Sequence, residues 1–134
     1  MAMEMFGPQW MARFQQLWND SPEVCDRLQK ASFTSSIAYG FPDEEKPRGV
    51  LVIEHGKAVQ AGAYNGEKLD WDLRASADNW KKWMDKPPSG LALGQAFVTR
   101  RLRFFAGNYL QMMKNPLLAG PFIKHFGLMG RIGQ

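Results

Sequence analysis

One cysteine and two histidines are all the thiol and imidazole in these 134 residues. Cys25 alone forms no internal disulfide, and no cysteine cluster exists to hold a metal. His55 and His125 leave little for a histidine-rich metal centre or a histidine-based triad. Long apolar runs are also missing. The longest uncharged stretch, Pro87 to Thr99, has 13 residues and opens with two prolines, against the roughly 20 that a membrane-spanning helix needs. Met1-Ala2-Met3-Glu4 has neither the basic nor the apolar segment of a secretory signal, and Arg131-Ile132-Gly133-Gln134 is no peroxisomal address. A cytoplasmic protein is therefore expected. There is no G-x-S-x-G, no phosphate-cradling glycine loop and no H-E-x-x-H. Neither a cofactor nor an enzymatic activity is expected.

What remains is ordinary in bulk and uneven in distribution. The hydrophobic share of 45% and charged share of 22% suit a globular chain and exclude disorder, collagen and coiled coil. The length suits one domain over 1–134, able to bury roughly two-thirds of its unfolded surface. Residues 1–80 carry eight Lys/Arg against twelve Asp/Glu, whereas residues 81–134 carry nine against Asp85 alone. A basic, apolar-rich final third suits anionic partners such as lipid headgroups, fatty carboxylates or coenzyme A phosphates; the plain alternative is a solvated basic face. Nucleic acid is not expected, because the arginines do not alternate with stacking aromatics in any recognisable motif.

Period changes along the chain outline the elements. Trp10, Phe14, Leu17 and Trp18 recur at helical spacing, and Ser21-Pro22-Glu23 reads as the capped start of a second helix through about Lys30. Ser32 to Phe41, Val50 to Ile53 and Lys57 to Tyr64 read as strands, the last two joined at His55-Gly56. Asn65-Gly66 is the strongest hairpin signal. Leu69 to Arg74 alternates apolar with charged residues, which predicts a strand with Asp70 and Asp72 on a solvated face; the same pair is a weaker candidate for acid–base work. Ser76 caps a helix with Trp80, Trp83 and Met84 inward. A short helix follows over Leu91 to Thr99. A fifth strand is expected at Arg101-Leu102-Arg103-Phe104, then helices starting at Asn108 and Pro116. This order predicts an α+β domain: a five-stranded, mostly antiparallel sheet with helices covering one face.

Isolated polar residues carry little. His55 reads as an exposed turn residue and Cys25 as a buried inert thiol. His125, beside Lys124, reads as a surface histidine, with contact to an anionic head group as the alternative. The surplus is apolar: after residue 79 aromatics and methionines crowd the chain. Gly120, Pro121, Gly127 and Gly130 loosen a last helix that is apolar nearly all round. Such a helix closes a cavity, touches a membrane or covers a partner, unless it is ordinary core.

Two segments, Leu69-Asp-Trp-Asp-Leu-Arg-Ala-Ser-Ala-Asp-Asn-Trp-Lys-Lys-Trp-Met84 and Gly94-Gln-Ala-Phe-Val-Thr-Arg-Arg-Leu-Arg-Phe-Phe-Ala-Gly107, resemble the sterol carrier protein type 2 family in this element order. The resemblance covers roughly residues 32–126. It departs where Thr99-Arg100 stands in place of the family's usual glycine before the basic strand. It implies a five-stranded sheet and helices enclosing an apolar cavity, and non-covalent binding of a sterol, fatty acid, acyl-CoA or other lipid. The expected lining is Trp83, Phe97, Leu102, Phe104, Met112, Met113, Leu118, Phe122 and Phe126, with Arg100, Arg101, Arg103 and Lys124 toward a head group. Related domains also serve as accessory or dimerisation modules. The expected partners are thus an apolar small molecule, transiently a membrane surface, and a second copy or a lipid- or quinone-modifying enzyme.

Overall fold

The computed structural model describes residues 3–132. Helix α1 (Pro8–Asn19) buries the expected Trp10, Phe14, Leu17 and Trp18. A π-helical turn, Pro22–Asp26, runs into the single helical turn α2 (Arg27–Lys30). Here the expected side-chain cap is corrected. The Ser21 hydroxyl makes no capping bond, and its backbone carbonyl instead accepts from both Val24 and Cys25 N–H. Strands β1 (Ser35–Gly40), β2 (Gly49–Glu54) and β3 (Lys57–Ala63) form an antiparallel meander. At the β2–β3 turn both His55 and Gly56 have positive φ, the geometry that matches strand twist.

The chain then leaves the meander. Strand β4 (Trp71–Arg74) pairs with β1 in parallel, and β5 (Arg103–Ala106) pairs antiparallel with β4, giving the order β3-β2-β1-β4-β5. The hairpin expected at Asn65-Gly66 is not formed. A tight hairpin of that kind needs positive φ at both positions, and of the two only Gly66 has it. Residues 64–70 instead carry the chain from one sheet edge past β2 to the far side of β1. Asp70 docks there, its N–H donating to the Ser36 carbonyl and its carboxylate accepting from Ser36 N–H.

Helices α3 (Ala77–Asp85), α4 (Gly90–Val98), α5 (Tyr109–Lys114) and α6 (Pro116–Met129) complete the chain. Ser76, Ser89, Asn108 and Asn115 cap them in turn, each side-chain oxygen accepting a first-turn N–H. On the helix-covered side Phe14, Tyr39, Leu51, Ile53, Leu73, Trp80, Leu93, Leu102 and Phe126 belong to one contiguous core. The C-terminal end of α1 also covers the β3 edge. The Asn19 amide both donates to and accepts from the Ala58 backbone, and the Trp18 indole donates to the Gly56 carbonyl.

The opposite face holds the largest departure from expectation. Asp72, expected in solvent, is buried, and so is Arg74 two residues on. Arg74 Nε and Nη2 donate to the two Asp72 oxygens at 2.6 and 2.9 Å. Nη1 donates to the Phe41 and Glu44 carbonyls and Nη2 to that of Glu45, while Phe105 stacks on the guanidinium at 4.2 Å. The alternation predicts the correct face; it does not reveal that the 41–47 loop and Phe105 cover it.

A Schellman closure ends α4, with Arg101 N–H donating to Ala96 and Arg100 N–H to Phe97. Its left-handed residue is Arg100, φ 61°, the second residue of the Thr99-Arg100 pair. Replacing Arg100 by Gly should therefore stabilise the fold by about 1 kcal/mol, since a left-handed non-glycine residue is strained by ~1–2 kcal/mol, partly offset by glycine's extra freedom when unfolded. Asp72→Ala should destabilise by about 3–5 kcal/mol, because it strands a buried guanidinium. Chemical denaturation of both variants checks these signs.

A candidate apolar ligand site

A cavity lies between the middle of the sheet and the C-terminal helices. It is lined by Trp18, Leu28, Phe33, Ile37, Trp71, Leu73, Met112, Leu118, Pro121, Phe122 and His125. Each wall follows from a local pattern. Ile37, Trp71 and Leu73 share one sheet face, Ile37 paired with Trp71. Leu118, Phe122 and His125 recur at helical spacing on α6. Trp71 also lies against Gly107, which has φ +93°. A Cβ there would sit 2.3 Å from the indole, so only glycine lets β5 end so close to this wall.

Pro121 is internal to α6 and brings no N–H to the Leu117 carbonyl one turn back. The helix is thus a bond short beside the cavity. The free space for a water-sized sphere is only ≈ 30 Å³, about two waters. An elongated ligand therefore has to widen it, and α6 is a wall that lacks one internal hydrogen bond.

Met112, Leu118 and Phe122 from the expected lining stand on this cavity. Phe104 and Phe97 form an aromatic chain beside it: Trp71, Phe104 and Phe122 rings succeed one another at 6.2 and 6.1 Å, and Phe97 stacks on Tyr109 at 4.3 Å. Trp83 and Phe126 pack on each other and on Trp80 deeper in the core, where Leu102 is also fully buried. Met113 is half-buried on α5. None of the four expected head-group cations lines the cavity. Arg100, Arg101 and Arg103 are exposed around the start of β5, and exposed Lys124 lies 3.7 Å from Glu23. The walls from β1 and β4 were missing from the expected lining, although their shared face was readable from strand alternation.

His125 corrects the expectation of a surface residue. It is 2% exposed, ringed by Phe14, Trp18, Tyr39, Phe122 and Phe126. Nδ1 faces the Phe122 carbonyl one turn back. Burial lowers its pKa from 6.5 to about 4, against a smaller upward pull from that carbonyl. Tyr39, 5.9 Å away between ring centres, has a fully buried hydroxyl with no partner, and burial pushes its phenol well above the usual range. Cys25 is buried as expected, and desolvation raises its thiol. His55 is exposed, also as expected. Among the described residues no grouping of three or more His, Cys, Asp or Glu is placed to hold a metal, and no helix is long and apolar enough to cross a membrane.

A five-stranded mixed sheet with helices packed over one face, closing on an apolar pocket, defines an α+β domain. The particular fold is that of sterol carrier protein 2. A crystal structure of sterol carrier protein 2 superposes with TM-score 0.73 over 95% of this chain and 98% of its own, at 19% identity. A conserved hypothetical protein from Thermus thermophilus, described as possibly a sterol carrier protein, gives 0.62 over 98% and 88%, at 18% identity. UbiJ-SCP2, a ubiquinone synthesis protein, gives 0.54 over 92% and 87%, at 10% identity. No protein-family model matches the sequence, and no curated protein sequence matches it.

The buried imidazole makes a pH prediction with a definite sign. The unfolded chain takes up this proton near pH 6.5, whereas the folded chain resists it to about 4. Stability is therefore full above pH 6.5 and falls as pH drops through that window, by about 3 kcal/mol from this group. Denaturant titrations of wild type and His125→Phe at pH 7.5 and 4.5 should show the loss in wild type and a smaller one in the variant.

Proposed function

We propose that this domain binds and transfers an elongated apolar molecule (a sterol, fatty acid, acyl-CoA or other lipid) without covalent chemistry. The observation that carries the reading is a cavity walled by ten apolar or aromatic side chains and one neutral imidazole, beneath a helix weakened by Pro121. Each methylene moved from water into such walls contributes roughly 0.8 kcal/mol, which an acyl chain can draw on to move α5 and α6 away from the sheet. The fold shared with sterol carrier protein 2 supports the same reading. The basic final third suits brief contact with an anionic membrane surface during exchange.

A second reading has its own observation. Leu91 and Val98 on α4, Leu110 on α5 and Leu117 on α6 are more than half exposed. Such side chains suit a partner protein or a second copy, and the fold shared with a ubiquinone synthesis protein is compatible with an accessory role. In this reading Leu110→Glu together with Leu117→Glu abolishes assembly and leaves lipid content unchanged.

Native mass spectrometry of freshly purified protein, followed by solvent extraction, is the direct test. The carrier reading expects a co-purifying lipid near one per chain. It also expects Leu118→Trp, which fills the cavity, to cut retention at least tenfold without lowering the melting temperature. An empty protein that takes up no added lipid overturns it.

A further inference from the structure

The cavity lining is apolar apart from one side chain that can ionise, His125. Trp18 lines it, but its indole N–H is already donated to the Gly56 carbonyl. His125 is the one titratable residue in the lining. Its Nδ1 faces the Phe122 carbonyl, which only accepts, so Nδ1 carries the proton and donates. A neutral imidazole with its proton on Nδ1 has a bare lone pair on Nε2. Among the described residues nothing donates to that lone pair, and the nearby Tyr39 hydroxyl makes no hydrogen bond either. Among the described residues the Tyr39 hydroxyl alone is both sealed off and unpaired, so Nε2 is open to a ligand that supplies a donor.

We propose that the cavity takes an apolar ligand whose buried end is a neutral hydroxyl, donating its hydrogen to His125 Nε2. The inference rests on the carrier reading above and names its ligand class. The imidazole stays neutral at neutral pH, so the lone pair is available. A carboxylate end would meet this lone pair with no cation among the lining residues, since the arginines of the 100–103 segment stand outside. An ester end has only acceptors to offer and would leave Nε2 unpaired.

The test uses three probes with ten-carbon chains on the full chain, stripped of lipid, at pH 7.5: 1-decanol, methyl decanoate and decanoate. Trp18 and Trp71 line the cavity and supply the fluorescence signal. Decanol should bind about tenfold more tightly than the methyl ester, the size of one neutral hydrogen bond. It should also bind more tightly than decanoate. His125→Phe should bind the alcohol and the ester equally. In wild type labelled at its imidazole nitrogens, decanol should shift the Nε2 resonance and leave Nδ1 protonated, a readout that needs no variant to fold. Equal binding of alcohol and ester by wild type overturns the inference, as does tightest binding of decanoate, or a preference for the alcohol that survives in His125→Phe. Each of those results leaves the carrier reading standing. Binding of none of the three overturns both.

Discussion

The Arg74 guanidinium is the constraint on which the rest of this sheet depends. It has five N–H groups and makes five hydrogen bonds, two to Asp72 and three to carbonyls of the 41–45 segment. That segment connects β1 to β2, Asp72 and Arg74 belong to β4, and the stacked Phe105 belongs to β5. One side chain thus ties four of the five strands together on the face away from the helices. It sits where the chain does its least local pairing, at the parallel β1–β4 contact, whose strands are joined only through a long crossover. A buried charge pair is weak evidence of net stability, because desolvating both ions cancels much of their attraction. Its value here is directional. Five donors in a rigid plane accept one arrangement of loop and strands and leave the alternatives with an unpaired charge.

Fixing the sheet from behind leaves its front free to be apolar, and it nearly is. Ile37, Tyr39, Leu51, Ile53, Leu73 and Phe104 present hydrophobic surface to α1, α3 and α6. The exceptions are the Tyr39 hydroxyl and His125, both deep in the aromatic cluster. A fold selected only for packing would remove them, since phenylalanine fits both places without an unpaired polar atom. Pro121 works the same way, removing a helix bond just where α6 closes the cavity. Pro121 and His125 thus lie on one cavity wall, and Tyr39 packs against His125 from the sheet.

Much of the architecture is legible in side-chain order alone. Helix starts at Ser76, near Leu91, at Asn108 and at Pro116, strand runs at Val50–Ile53 and Leu69–Arg74, and the α+β order follow from periodicity and capping chemistry, which act over one or two turns. The failures share a cause. Asn65-Gly66 has the composition of a hairpin, but strand partnership is decided by the whole sheet, and the chain crosses to the far side of β1. Asp72 alternates as a solvated residue should, until a loop from much earlier in the chain folds over it. His125 next to Lys124 looks like surface, but adjacent helical positions point about 100° apart, so one faces water and the other the core. In the candidate site, the walls from α5 and α6 were visible as an excess of methionine and aromatics. For β1 and β4 alternation gives the inward residues of each strand, but that the two strands lie side by side under α6 rests on a parallel pairing that no local pattern encodes.

Charge and polarity also divide the ligand problem spatially. The arginines of the 100–103 segment and Lys124 stand on the surface, and the one titratable side chain on the cavity, His125, offers an acceptor. A molecule with an anionic head and an apolar tail fits this division with its head out, near solvent. A molecule with a neutral hydroxyl fits it with that end in. The two orientations place the polar group at opposite ends of the same path, and they make opposite demands on the protein. Head-out binding draws on long-range attraction that salt weakens within about 10 Å. Head-in binding draws on a short contact in a dry interior, which salt hardly touches. The interior suits the second, because His125 offers an acceptor there while no cation stands among the lining residues.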